Sequence, residues 1–286
     1  MPDQLFACAA KIKSVIVLLP HQRYVRCLQI WDLSMKLKVE GATINFEVDG
    51  PKTAPAVLLW HGAGCTLRMW DLVVARMPDR FRMIRFDVRG TGRSSVTDDP
   101  RAQYTLEQYA DDANRLLDEC GADKTHVWSM AWGSRAALAY CSLNADRVIS
   151  AALYDASIGE ADVKAQREGS RKALDRQLAA GTDRFPMPEG WNSHDSPEDV
   201  PQALSAAAKF NLPGAVPRLT MPLLVATGDH DPNLASSRAM PPCGPAGLMS
   251  TTTSRGSNKP PVIAPSRIKI RFTGLAGDAT AAVFSG

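Results

Sequence analysis

The stretch HVWSMAWGSRAALAY, from His126 to Tyr140, reads as a buried strand that turns sharply into a helix. Val127 and Trp128 are strand formers, Gly133 permits a tight backbone, and Ser134 to Tyr140 is a run of good helix formers. Ser129 and Gly133 flank residue 131 at equal distance, the small-x-apex-x-small spacing of a nucleophile elbow. The apex residue is Ala131. A methyl group cannot attack a substrate, so the turn has the outline of a catalytic scaffold with its attacking group missing.

Working outward, the flanking sequence alternates between strand and helix patterns. Met35 opens an alternation through Leu37 and Val39 that resumes at Thr43 to Val48, a hairpin turning at Glu40-Gly41. Ala56 to Trp60 is continuously apolar, as expected of a parallel strand covered on both faces, and ends in His61-Gly62-Ala63-Gly64. A helix is expected over Met69 to Met77. The strand Arg82 to Phe86 ends in Asp87-Val88-Arg89-Gly90-Thr91-Gly92-Arg93-Ser94-Ser95, whose glycines mark a tight loop. Thr105 to Cys120 reads as an amphipathic helix, with Thr105 and Gln108 as a capping box and Gly121 as the stop. Beyond the elbow, Val148 to Tyr154 is a strand ending at Asp155. This alternation implies a parallel sheet wound by right-handed crossovers, with its site at the carboxyl ends of the strands.

The remainder divides by pattern. Residues 1–34 form an extension with no clear period. Residues 35–156 are the first part of the core. Residues 157–217 read as a helical lid, with helices over Asp162 to Ala180 and after a cap at Ser196 followed by Pro197. Residues 218–240 hold the last recognisable core strand, Pro222 to Thr227, followed by Gly228-Asp229-His230-Asp231. Residues 241–286 are rich in Pro, Gly, Ser and Thr, with only Ile268 to Phe272 strand-like, and are expected to be a disordered tail.

Composition narrows the function classes. The 286 residues, 45% hydrophobic, suffice for one large core with appendages. A net charge of +3 with intermixed signs gives no footprint for nucleic acid. Six cysteines without a C-x-x-C pair signal neither zinc nor a disulfide framework and fit a reducing cytoplasm. The apolar runs are too short for a membrane span, and Val15 to Leu19 is too short for a secretion signal. No metal or cofactor is indicated, and the expected partner is a small molecule.

With these pieces in place, residues 36–240 resemble the α/β-hydrolase family of lipases, esterases, lactonases, haloalkane dehalogenases and epoxide hydrolases. The resemblance rests on His61-Gly62 after a strand, the loop from Asp87 to Ser94, the elbow at 129–133 and Gly228-Asp229-His230-Asp231 after a late strand. It implies an α/β-hydrolase fold: a mostly parallel wound sheet with a helical lid, here lacking its last strand and helix. That loss would expose apolar surface, so self-association through a sheet edge is expected.

The family's chemistry needs an attacking group, an imidazole, an orienting carboxylate and two backbone N–H groups for the oxyanion. By resemblance the oxyanion donors are the N–H groups of Ala63 and Trp132, which survive loss of the side chain at Ala131. Asp231 occupies the acid position of the pattern G-x-x-D, with Asp155 as the alternative. The family's histidine follows the acid, whereas this chain has no histidine after His230. His230 itself adjoins Asp231 and points the opposite way on an extended segment. His194 in the lid is the remaining candidate base. His61, Gly62, Cys65, Trp128 and Ser129 are the expected surroundings of the pocket. Ser129 is read as the small packing residue of the elbow, Ser134 as pointing away from the apex, and Cys65 as a small buried filler. Tryptophan after the apex, here Trp132, is familiar from the dehalogenases and epoxide hydrolases, where Asp fills the apex and the indole N–H faces a halide or substrate oxygen. Trp128, Trp132 and Trp191 either line an apolar pocket or pack in the core.

Three accounts of function follow. One is a protein of hydrolase descent, directed at small apolar esters or lactones and catalytically impaired by Ala131. The second is a hydrolase-fold protein that only binds a ligand or partner. The third is a C-terminus translated out of frame after about Arg238, which an apolar strand and Gly-His in another reading frame of the gene would support.

Overall fold

The computed structural model describes residues 34–77, 80–97, 99, 103–158 and 187–226, isolated positions between 168 and 181, and the strands at 266–272 and 279–285. Met35–Val39 (β1) and Ala42–Asp49 (β2) form the expected hairpin, with Gly41 in the turn at φ 64°. Ala56–Trp60 (β3), Arg82–Phe86 (β4), Ser95–Val96 (β5), Thr125–Met130 (β6), Val148–Tyr154 (β7) and Leu223–Ala226 (β8) complete the main sheet. The strand order is β1-β2-β4-β3-β6-β7-β8, with β5 paired to β2. From β4 to β8 every neighbouring pair is parallel, and the pairs made by β2 are antiparallel. Among the described residues the sheet ends at β8.

This order places the site. The chain passes from β3 to β4 on one side and returns to β6 on the other, so the winding reverses between β3 and β6. In wound α/β sheets the crevice beyond the carboxyl ends of such strands is where ligands bind. Here those ends carry His61-Gly62 and Met130-Ala131.

Every residue of β3 is buried because both faces of the sheet are covered. Leu58 and Trp60 belong to the larger core, with Val127, Leu138 and Tyr140. Val57 and Leu59 point the other way, into a second cluster with Trp70, Phe81, Met83, Trp128 and Ala152.

The helices follow their signals with some shifts. The helix expected over 69–77 is a 3₁₀ turn, Leu67–Trp70, continued by one α-turn, Asp71–Val74 (α1). Thr66 begins it by accepting from the Arg68 N–H at 3.2 Å, and Pro78 disfavours helical backbone at Met77. Leu106–Glu119 (α2) matches its pattern. Thr105 Oγ1 accepts from the Gln108 N–H at 3.1 Å, and Gly121 closes the end at φ 64°. Trp132–Leu143 (α3) is buried from Gly133 to Ser142, which suits its small side chains.

The helix expected from a Ser196 cap begins later, as Val200–Lys209 (α4), because 196–199 form turns and Pro201 sits in the first helical turn. Leu212–Ala215 (α5) follows. The helix expected at 162–180 lies largely outside the described residues. The tail expected to be disordered contains a strand pair: Ser266–Phe272 (β9) runs antiparallel to Ala279–Ser285 (β10). The alanine-rich partner strand has weak β-propensity, so its sequence does not mark it.

Candidate active site

The elbow is built as its spacing requires. Between β6 and α3, Ala131 adopts φ 53° and ψ −120°, a conformation that costs a non-glycine residue about 1–3 kcal/mol. The Tyr154 carbonyl holds it, accepting from the Ala131 N–H at 2.8 Å and the Ser134 hydroxyl at 2.6 Å. Ser129 and Ser134 hydroxyls meet at 3.0 Å, both wholly buried, so each serves packing and neither faces the apex as an attacking group. Gly133 is needed for its size: a Cβ there would lie 2.3 Å from the His61 carbonyl oxygen.

The loop after β3 comes up against this crest. A Cβ on Gly62 would sit 3.8 Å from the Ala131 Cβ and 3.6 Å from both Cys65 Sγ and the Met130 oxygen. Of the two expected oxyanion donors, Ala63 follows Gly62 on this loop and Trp132, next to Ala131, is the first residue of α3. Among the described residues no acceptor takes either N–H. The N-terminus of α3 adds its partial positive charge there.

The proton-handling groups are placed otherwise. His61 is fully buried. Its Nε2 accepts from the Val88 N–H at 3.0 Å, so Nδ1 carries the proton and donates to the Gly62 oxygen at 2.9 Å. Burial pushes its pKa down, which keeps it neutral, and it pins the loop rather than serving as a base. His194, the candidate base, has both nitrogens committed: Nδ1 accepts from the Gly92 N–H at 2.7 Å and Nε2 donates to the Gly64 oxygen at 3.1 Å. His126 is buried in β6, bonded to Ser150 at 2.8 Å. Among the described residues no imidazole is free to act at the crest. Asp155 ends β7 beside the elbow at φ 53°, its N–H donating to the Ala226 oxygen at 2.8 Å. Asp231 and His230 lie outside the described residues.

The remaining expected surroundings separate. Burial raises the Cys65 thiol to about 11, so it stays protonated and fits the reading of a filler. Trp128 packs 5.5 Å from Trp70 in the cluster on the opposite sheet face, so it is core there. The Trp132 indole N–H donates to the Leu204 oxygen at 2.9 Å and is spent on α4 instead of facing a halide or substrate oxygen. Trp191 is half-buried and accepts through its backbone oxygen from the Thr66 N–H at 2.7 Å.

Sequence reading missed two anchors. Asp87 is buried and accepts from the Leu67 N–H, Asn45 Nδ2 and the Arg93 N–H at 2.7–2.9 Å, which ties the two loops together. Arg89 is buried in a two-pronged ion pair with Asp112 at 2.7 and 2.9 Å. Only their place in a glycine-rich loop marked them. A cavity of about 390 Å³, with Asn45, Thr66, Arg68, Asp87, Arg93 and Asp195 among its lining residues, does not include Ala131. Among the described residues no cluster of His, Cys, Asp and Glu could hold a metal ion, and no helix is long and apolar enough to cross a membrane.

Comparison with known proteins agrees with this architecture. Residues 55–184 match the model for the alpha/beta hydrolase fold. A 96-residue segment is 38% identical to a probable oxidoreductase, EphD, of Mycobacterium tuberculosis, covering 33% of this chain and 16% of that protein. A 99-residue segment is 29% identical to 3-oxoadipate enol-lactonase 1 of Acinetobacter baylyi, covering 35% and 36%. The matches thus span well under half of these relatives. The crystal structure of the enol-lactonase from Burkholderia xenovorans superposes with a TM-score of 0.62 at 23% identity, over 77% of this chain and 91% of that one.

Proposed function

This chain is an α/β-hydrolase-fold protein, and from that premise we propose that it is of hydrolase descent, holds small esters or lactones at the elbow crest, and does not complete their covalent hydrolysis. The observation that carries this reading is Ala131: a methyl group on a strained crest, with the Ala63 and Trp132 N–H groups finding no acceptor among the described residues. Those N–H groups can receive a carbonyl or carboxylate oxygen, which supports binding. Acyl transfer also needs an attacking atom and a base, and the crest lacks the first. The likeness to enol-lactonases supports the ester and lactone class of ligand.

Two measurements test the proposal. Mixed with activated esters and lactones, the purified protein should show no burst of product and, by intact mass, no acyl adduct. A stoichiometric burst with an adduct would overturn the impaired chemistry. In the second, esters, lactones or their carboxylates should raise the melting temperature, because a ligand that binds only the folded state stabilises it. A flat response across all three classes would overturn the binding role.

A further inference from the structure

We propose that residues 187–199 are a strap latched across the loops at 62–66 and 90–93 by the neutral ring of His194, and that protonation of this ring releases the strap. The inference does not depend on what the crest binds. Five hydrogen bonds fasten the strap. Trp191 and Gly190 oxygens accept from the Thr66 N–H at 2.7 Å and its hydroxyl at 2.9 Å, and the Asp195 N–H donates to the Gly92 oxygen at 2.8 Å. His194 supplies the other two, accepting from Gly92 at Nδ1 and donating to Gly64 from Nε2. It is the one strap side chain here that ties both loops, and one of them carries Ala63.

The geometry requires one tautomer. A backbone N–H can only donate, so Nδ1 must be bare and Nε2 protonated. A proton from solvent has one place to go, Nδ1, where it faces the Gly92 N–H at a separation suited to a hydrogen bond. An accepted bond becomes a donor–donor contact. His194 is half-buried, so solvent reaches it.

The surrounding charges do not decide the matter alone. The Asp87 carboxylate lies behind Gly92, where an added Cβ would meet it at 2.2 Å, and Asp195 is the next residue along the strap. Against these two stand Arg93, next to Gly92, and Lys36, whose ammonium donates to the Arg93 oxygen. His61 stays neutral by burial, as does the Cys65 thiol. Whatever these charges contribute, a proton on Nδ1 removes the acceptor that the Gly92 N–H uses. Gly190, Ser193 and Asp195 also wall the cavity beside Thr66 and Asp87, so release opens it.

Amide hydrogen exchange on the full chain, corrected for intrinsic rates and compared at about pH 8 and about pH 5, tests the latch. Protection of the Gly92, Thr66 and Asp195 amides should fall together by about tenfold at the lower pH, with the same amides in His194→Gln as the reference, because core amides also lose protection as the buried imidazoles destabilise the fold. In His194→Gln the protection of those three amides should fall only as far as that of the core. Unchanged protection of Gly92 in the wild type, or an equal fall in His194→Gln, would overturn the proposal. Nitrogen NMR of the wild type tests it without a variant: at about pH 8 the proton should sit on Nε2, and a proton on Nδ1 overturns the latch.

Discussion

At Ala131 the backbone keeps a shape whose chemical purpose the side chain does not serve. The positive φ is imposed by the Tyr154 carbonyl and by the packing of Gly133 on His61. Removing the Cβ should relieve about 1–3 kcal/mol of strain while costing roughly 0.4–1 kcal/mol of added unfolded-state entropy. Ala131→Gly is therefore expected to stabilise the protein by about 1 kcal/mol in urea denaturation, and destabilisation would show that the methyl packing outweighs the strain. Gly133→Ala should do the reverse. Its Cβ would lie 2.3 Å and 2.8 Å from the His61 and Trp60 carbonyl oxygens, and backbone cannot yield as a flexible side chain does. A loss of about 3 kcal/mol or more is expected from such overpacking, and a melting temperature equal to the wild type's would contradict it. The spacing of Ser129, Ala131 and Gly133 was readable because an elbow needs small residues at fixed offsets. That His61 and His194 are spent on loop contacts was not readable, since both depend on loops brought together from elsewhere.

At the scale of elements, α4 is held over the site by two side chains from other helices. Tyr109 on α2 donates its hydroxyl to the Ala203 oxygen at 2.8 Å, and the Trp132 indole on α3 donates to Leu204. Both acceptors belong to α4, so the crest helix and the lid region are joined by the residue that follows the apex. Tyr109→Phe should cost about 1 kcal/mol and speed amide exchange in α4 more than in β6. Equal exchange in both would mean that the hydroxyl does not anchor the helix. The existence of α2 was legible from Thr105, Gln108, its apolar stripe and Gly121, which are all local signals. The start of α4 was not, because Ser196 looks like a cap whereas its backbone oxygen instead closes a turn with the Asp199 N–H at 3.1 Å.

For the whole molecule, buried imidazoles pull stability down on the acid side, against the carboxyls of Glu47 and Asp112, whose pKa values burial raises. His126 lies within the sheet, and burial pushes its pKa down to about 4 from an ordinary 6.5. Below about pH 6.5 the unfolded chain therefore takes up a proton that the folded chain refuses. Stability is intact above that value and is lost as pH falls toward about 4, by up to about 3 kcal/mol, with His61 acting in the same direction. Urea denaturation across this range should show a shallower pH dependence in His126→Gln than in the wild type. Identical slopes would assign the effect to other groups.

The sequence by itself determined strands β1 to β4 and β6 to β8, the helix α2, the hairpin and the elbow, because hydrophobic period, capping and turn chemistry are properties of neighbouring residues. It also determined that a methyl stands at the crest. Only the tertiary structure decided which polar groups remain available there. The bonds that occupy Trp132 and His194 link residues 72, 102 and 130 positions apart, and the order of strands in the sheet chooses those partners. Trp128 shows the same limit: alternation assigns it a face of β6, but which face holds the crest follows from how the chain winds.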